Sequence, residues 1–323
     1  MKTTYLGRTG VEVSALCAGT MSYGGDADEA EAKAMFAACR DAGINFFDCA
    51  NAYNKGRAEE ILGRLTAGHR DELILTSKSG HVTGPTGLDR GNSRRHMVAE
   101  VEKSLKRLGT DRLDVFFFHR WDPMTPLEET LREAEDLVRC GKVLYLGASN
   151  WAAWQFAKAL GIAERQSWSR IDVIQPMYSL VKRQAEVEIL PMAESEGLGV
   201  ISYSPVGGGL LSGKYGPGEA PDAGRILENP EYSARYAPDW MLEVAGKFTA
   251  LAADLGHHPV SLAVAWAAAH PAVTCPIIGA RSLEQLRPSL AAAEIEMSGD
   301  LHARIAALSP SPPPATDRLE EQG

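Results

Sequence analysis

Ile44-Asn45-Phe46-Phe47-Asp48 is a short apolar run that ends on a carboxylate, and two later stretches repeat the arrangement. Leu73-Ile74-Leu75-Thr76-Ser77 runs into Lys78, and Asp114-Val115-Phe116-Phe117-Phe118 runs into His119. Runs of this length, bounded by polar residues and rich in aliphatic and aromatic side chains, predict buried strands. Tyr53 follows the first run by one short loop. In a parallel barrel the carboxyl ends of the strands share one rim, so Asp48, Tyr53, Lys78 and His119 are expected to converge there.

Five further runs extend the pattern: Ala15 to Ala18, Val143 to Ala148, Asp172 to Gln175, Val200 to Tyr203 and Cys275 to Ile278. Strand-like runs alternate with helical patterns along the chain, which predicts parallel strands joined by crossover helices. Eight such units in 323 residues fit a (β/α)8 TIM barrel. An open doubly wound sheet would usually need fewer strands and a recognisable switch point. Met97, Val101, Leu105 and Leu108 trace one face of a helix that Gly109 stops. Thr125-Pro126-Leu127-Glu128 has the spacing of a capping box, with Leu127, Leu131, Ala134 and Val138 forming the apolar face behind it.

Two segments stand outside the repeat. Thr4 to Ser14 reads as a small hairpin that closes the barrel floor. Gly207 to Trp240 is rich in glycine, proline and aromatics, and reads as a long loop over the rim after strand seven, before helices at Met241 to Leu255 and Val260 to Ala269. The expected organisation is one barrel domain over residues 1–308 and an irregular tail over 309–323, which contains Pro312-Pro313-Pro314.

The net charge of −9 repels nucleic acid and anionic membrane surfaces, so neither is expected as a partner. An anion can still be held locally by arginines or helix N-termini, and homo-oligomerisation is left open. The five cysteines, Cys17, Cys39, Cys49, Cys140 and Cys275, are odd in number and lack a C-x-x-C pair, so neither a disulfide framework nor a zinc site is expected; Cys17, Cys49 and Cys275 lie in or beside apolar runs and read as buried reduced thiols. No apolar stretch approaches the ~20 residues of a membrane span, and no basic segment followed by an apolar one opens the chain. A cytoplasmic location is the resulting expectation.

The four rim residues also have plain readings. Asp48 would cap a loop, Tyr53 would be a rim aromatic, Lys78 a solvated lysine, and His119 a partly buried structural histidine. Their coincidence at corresponding strand ends favours chemistry instead. A phenol is an acid, an ammonium and a carboxylate tune it, and an imidazole orients a substrate.

Phe47-Asp48-Cys49-Ala50-Asn51-Ala52-Tyr53, with Lys78 and His119 after strands three and four, resembles the aldo-keto reductase superfamily. The resemblance runs from Tyr5 to about Leu290. It includes Arg57-Ala58-Glu59-Glu60-Ile61-Leu62-Gly63, His119-Arg120-Trp121-Asp122-Pro123, Gly147-Ala148-Ser149-Asn150-Trp151, Ser204-Pro205 with the glycines after it, and Pro276-Ile277-Ile278-Gly279-Ala280-Arg281. It implies the same barrel and the reduction of aldehydes or ketones with a nicotinamide cofactor. Tyr53 would be the acid, Lys78 would lower its pKa from ~10, Asp48 would hold Lys78 charged, and His119 would hydrogen-bond the substrate oxygen.

No G-x-G-x-x-G follows a strand, so rim segments would hold the nucleotide. By resemblance, Gly19, Thr20, Met21, Asp48, Ser149, Asn150 and Gln175 would surround the nicotinamide, with Tyr203 stacked on its ring. Ser204, Pro205, Gly209, Leu210 and Lys214 would border the pyrophosphate, and Gly279, Arg281, Gln285 and Ser289 the adenosine. Asn150 also reads as a helix N-cap and Tyr203 as ordinary packing. Ser282 and Gln285 have capping-box spacing, and a helix start beside Arg281 offers a charged fork and free amides to a 2′-phosphate, which favours NADPH over NADH. Many relatives carry asparagine where this chain has Ser289 after Pro288, which weakens the expected adenine contacts. Met21, Tyr23, Trp121 and Trp240 are expected walls for a small-molecule carbonyl substrate.

Three other readings stand beside this one. Some relatives that share the Arg57-Ala58-Glu59-Glu60 stretch are accessory subunits of cation channels with slow turnover. A metal-dependent hydrolase would use Asp48, Lys78 and His119, but strand one offers no histidine pair and the other histidines, His81 among them, are not at strand ends. A Schiff-base aldolase would use Lys78.

Overall fold

The structure, a computed structural model, describes residues 1–216, 218 and 221–316. Residues 217, 219 and 220 of the predicted long loop and 317–323 of the predicted tail lie outside the described residues. A two-stranded antiparallel hairpin, β1 (Thr3–Tyr5) and β2 (Glu12–Ser14), precedes eight parallel strands that close into a barrel. These are β3 (Cys17–Gly19), β4 (Phe46–Asp48), β5 (Ile74–Ser79), β6 (Leu113–Phe118), β7 (Val143–Ser149), β8 (Ile171–Gln175), β9 (Gly199–Ser202) and β10 (Cys275–Ile278), and β10 closes onto β3. The predicted (β/α)8 barrel and its eight strands are therefore present.

The alternation of side chains along a strand sorts the barrel into an interior and an outer layer. Cys17, Phe46, Val115, Phe117, Val173, Ile201 and Cys275 form one closed cluster inside the barrel. Phe116 and Phe118, on either side of Phe117, belong instead to the layer shared with the surrounding helices. Three consecutive phenylalanines thus serve two cores, and burial of each stabilises the fold by roughly 1.5–3 kcal/mol. Phe117 needs the space opposite it. Its ring would lie 2.4 Å from a Cβ on Gly147, its register partner on β7.

Leu6 and Val13, flanking the hairpin turn, are fully buried in the same inner cluster. The hairpin therefore plugs the floor, as expected. At the opposite end the same inward register continues two residues further at the ends of four strands, from Phe46 to Asp48, from Thr76 to Lys78, from Phe117 to His119 and from Val173 to Gln175. The apolar interior is capped by a polar layer at the carboxyl rim.

Three local expectations need correction. The helix after β6 runs Leu127–Arg139 with Pro126 at its N-cap, and Thr125 caps nothing: its hydroxyl donates to Asp122 at 2.7 Å. Asp122 also accepts from the amides of Asn92 and Met124, so it is the hub that captures the threonine. The segment after β9 is not one loop. It holds a 3-10 turn, Gly207–Ser212, and two short helices, Arg225–Glu228 and Pro230–Arg235. Asn229 caps the second of these by accepting from the amides of Glu231 and Tyr232, with Pro230 at the first helical position. The next two helices begin earlier than predicted, at Asp239 and Pro259.

Candidate active site at the barrel rim

Lys78 is the centre of the rim layer. Its side chain is 0% exposed, and an ammonium has three donors. All three are engaged: Nζ donates to Asp48 Oδ2 at 2.6 Å, to the Cys49 carbonyl at 2.7 Å and to the Tyr53 hydroxyl oxygen at 3.3 Å. Asp48 is equally committed, because its Oδ1 accepts from Thr76 Oγ1 at 2.9 Å and from Gln175 Nε2 at 2.8 Å. Burial opposes the charge on Lys78, but Asp48 and Tyr53 outweigh it and hold its pKa above the usual lysine value.

Tyr53 accepts from Lys78, so its own proton is free to point elsewhere. Burial pushes the phenol up to about 12, although Lys78 pulls it down. The expectation of a net lowered pKa is therefore corrected: desolvation exceeds the attraction of the ammonium, and the phenol is held as an acid. His119 meets Tyr53 edge-on with ring centroids 5.9 Å apart. Burial, then Lys78, His81 and Arg120, drive its pKa well below the usual imidazole value, so it is neutral. Its Nδ1 is buried with no protein partner among the described residues.

Sequence reasoning passed over His81. β5 runs to Ser79 rather than Ser77, which places His81 just past the strand end, its ring 4.2 Å from that of His119 at 89°. The overlooked signal was that a buried lysine can continue a strand when a carboxylate waits on its neighbour.

The residues expected around a nicotinamide lie on the adjacent strands. Ser149 Oγ donates to the Gln175 carbonyl at 2.9 Å. Asn150, at φ 59°, caps no helix; its amide donates to Ser149 and to the His119 carbonyl, and it accepts from the Tyr203 hydroxyl at 2.7 Å. Thr20 is buried and donates to the Asp48 carbonyl through both its amide and its hydroxyl, while Gly19 pairs with Asp48 across the β3–β4 ladder. Further out, Gly209 has φ 104° and no atom within 4 Å of a notional Cβ, so its backbone is bare to an approaching group. Ser204 and Pro205 precede it, Leu210 is buried behind it, and Lys214 is exposed. Gly279 is exposed and Ser289 is buried within the helix Leu283–Ala291.

A cleft of about 420 Å³ opens beside Tyr53, lined by Met21, Asp26, Arg225, Tyr232 and Arg281 among others. Arg281 is already occupied there. Its guanidinium pairs with Glu228 at 3.0 Å and with Asp26 at 3.0 Å. Nor are the neighbouring amides all free: Leu283 donates to Glu31, Gln285 to Ser282 Oγ, and Arg281 to Gln285 Oε1. The expected open fork is a clasp between the rim and the short helix Arg225–Glu228. Tyr232 carries a guanidinium over its ring from both Arg225 and Arg235, at 5.4 and 4.8 Å.

The expected substrate walls separate. Met21 lines the cleft. Trp121 packs edge-on to Trp151 and Trp154, Tyr23 is buried in the core, and Trp240 lies in the first turn of the helix Asp239–Asp254 against the core. Among the described residues no group of three His, Cys, Asp or Glu is placed to hold a metal ion, and no helix is long and apolar enough to cross a membrane.

Comparison with known proteins agrees with this geometry. The model of the Aldo/keto reductase family matches residues 15–310, and the chain belongs to that family. It is 39% identical over 97% of both chains to an uncharacterized oxidoreductase, YrpG, of Bacillus subtilis. It is 37% identical over 90% of both chains to a probable voltage-gated potassium channel subunit beta of Arabidopsis thaliana. It is also 32% identical, over 90% of this chain and 87% of the other, to L-glyceraldehyde 3-phosphate reductase of Escherichia coli K12.

Proposed function

We propose that this protein is an NADPH-dependent carbonyl reductase in which Tyr53 protonates the oxygen of an aldehyde or ketone as it becomes an alcohol. The observation that carries this reading is the triple engagement of the Lys78 ammonium, which makes the Tyr53 oxygen an acceptor and leaves its proton for a substrate. The chemistry that a reduced nicotinamide would supply when bound is a hydride for the carbonyl carbon, leaving the cofactor oxidised. Tyr53 releases its proton to the carbonyl oxygen, and Lys78, kept charged by Asp48, stabilises the phenolate left behind. Neutral His119 donates a hydrogen bond to the same oxygen and offsets its developing charge.

The cofactor fits residues of this chain. Gln175 and Asn150 stand at the rim, their amides held by Asp48, Ser149, His119 and Tyr203, Tyr203 offers a half-buried ring, and Gly209 offers bare backbone. Arg281 would take the 2′-phosphate of NADPH once it leaves Glu228 and Asp26. Reductase names among the relatives support the same reading. A fluorescence titration with NADPH and NADH, followed by a panel of aldehydes and ketones, tests it. Tighter NADPH binding and turnover of at least one carbonyl are expected; no turnover overturns it.

A second reading, a nicotinamide-binding accessory subunit of a cation channel, is supported by the relatives named as potassium channel beta subunits. Retained NADPH binding with negligible turnover across the panel would favour it.

A further inference from the structure

Tyr53 is followed by two residues in the left-handed region that are not glycine, Asn54 at φ 48°, ψ 40° and Lys55 at φ 57°, ψ 37°, and then by Gly56 at φ 90°. Asparagine visits that region more readily than most residues and lysine does not, so the turn stores strain that other contacts must oppose. Asn54, which lines the cleft together with Tyr53 and Met21, makes those contacts. Its amide nitrogen donates to the carbonyls of Met21 at 2.9 Å and Tyr23 at 2.8 Å, both in the loop after β3. Gly25 in the same loop leaves room for it, since a side chain there would strike Asn54 Oδ1. Arg107 covers the far end of the turn: a Cβ on Gly56 would lie 2.6 Å from its guanidinium, which donates to the buried Glu59.

The loop after β3 is itself tied to Asp48, because Thr20 donates to the Asp48 carbonyl through its amide and its hydroxyl. The contacts therefore close a ring. Asp48 holds Lys78, Lys78 meets Tyr53, the chain leads on to Asn54, Asn54 holds Met21 and Tyr23, and Thr20 returns to Asp48. The longest link is the 3.3 Å bond from Lys78 to Tyr53, against 2.6 Å to Asp48 and 2.7 Å to the Cys49 carbonyl. Lys78 is thus held mainly by its other two partners, and its weakest bond does not fix the phenol by itself. We propose that Asn54 is a positioning residue for the proton transfer: by gripping the Met21 and Tyr23 carbonyls it holds the strained turn and keeps the Tyr53 hydroxyl against Lys78. The inference rests on the reductase reading.

Asn54→Gly accepts the left-handed backbone and removes both bonds, while Asn54→Asp keeps the shape and offers no donor. With NADPH and 4-nitrobenzaldehyde both should lower kcat about tenfold, the scale of two lost hydrogen bonds, and leave NADPH affinity within about twofold of the wild type. The solvent deuterium isotope effect on kcat should rise in both, because proton transfer from a displaced phenol slows relative to the other steps. A smaller folded fraction would lower the rate and leave the isotope effect unchanged. Lys55 is exposed, so Lys55→Gly relieves part of the same strain with both Asn54 bonds intact, and its kcat should stay within about twofold of the wild type. An unchanged kcat in Asn54→Gly, or a loss that Lys55→Gly shares with no change in isotope effect, overturns the inference alone. A loss confined to NADPH affinity would make Asn54 a ligand contact and also overturns it. No turnover of a panel of aldehydes and ketones by a wild type that binds NADPH overturns the reductase reading and the inference with it.

Discussion

Lys78 and Arg281 are the two cations around which the rim is organised, and they are held in opposite ways. Lys78 is fully buried and every donor is engaged by groups fixed on β4 and the loop after it. Arg281 is about a third exposed, and both its carboxylate partners, Asp26 and Glu228, are about half exposed. A buried pair is costly to break, whereas an exposed pair is worth about 1 kcal/mol or less and is screened by salt. The contrast separates two tasks. The buried centre proposed for proton transfer is fixed before anything binds, while the cleft beside it is bordered by pairs that a ligand can exchange.

The largest expected effect comes from breaking the fixed centre. Lys78→Met leaves the Asp48 carboxylate buried without its cation and should lower unfolding stability by about 3–5 kcal/mol in urea titration. It should also reduce carbonyl turnover by a factor of about 10² or more. A stability within about 1 kcal/mol of wild type would mean that the pair is not the buried unit described.

Breaking the exchangeable side should do less, and selectively. Arg281→Ala is expected to weaken NADPH binding about tenfold and to leave NADH nearly unchanged. An equal loss for both would remove the 2′-phosphate role. Glu228→Gln withdraws one of the two carboxylates that compete for Arg281, so NADPH binding should tighten by roughly twofold to fivefold at low salt, with the gain fading as salt rises. Weaker binding would show that Glu228 contributes to the cofactor site rather than closing it.

The smallest effect is an expected constancy. Reduction needs the protonated phenol, which burial holds to about 12, and neutral His119, whose pKa lies well below the usual imidazole value. Both are in the required state near neutrality, so kcat/KM for reduction should be level between about pH 7 and 9. Activity should fall on the alkaline side, as the pH approaches about 12 and Tyr53 loses the proton it must give, and on the acid side, as His119 gains a proton beside Lys78. A break near pH 7 would contradict the environments assigned to these two groups.

Much of the fixed centre was legible in the sequence because the barrel writes it in a simple code. Phe46 and Asp48, or Phe117 and His119, are two residues apart on one strand, so an apolar inward position is followed by a polar one at the rim. The strand end at Ser79 was harder to see, since a lysine after an apolar run reads as the polar boundary of the strand, and His81 was lost with it. The exchangeable side was poorly legible for a different reason. Helices of four and six residues show no periodicity, and Asp26, Glu228 and Arg281 are far apart in the chain. Asn229-Pro230 did carry a helix-start signal. Thr125 carried a false one, because Asp122 takes the hydroxyl that the capping pattern needs.

The most direct measurement is NADPH oxidation with 4-nitrobenzaldehyde by the wild type and by Tyr53→Phe, with NADPH affinity measured alongside. Removing one oxygen atom should lower turnover by a factor of about 10² to 10⁴ while leaving the affinity unchanged. Equal rates in the two proteins would contradict the assignment of Tyr53 as the acid.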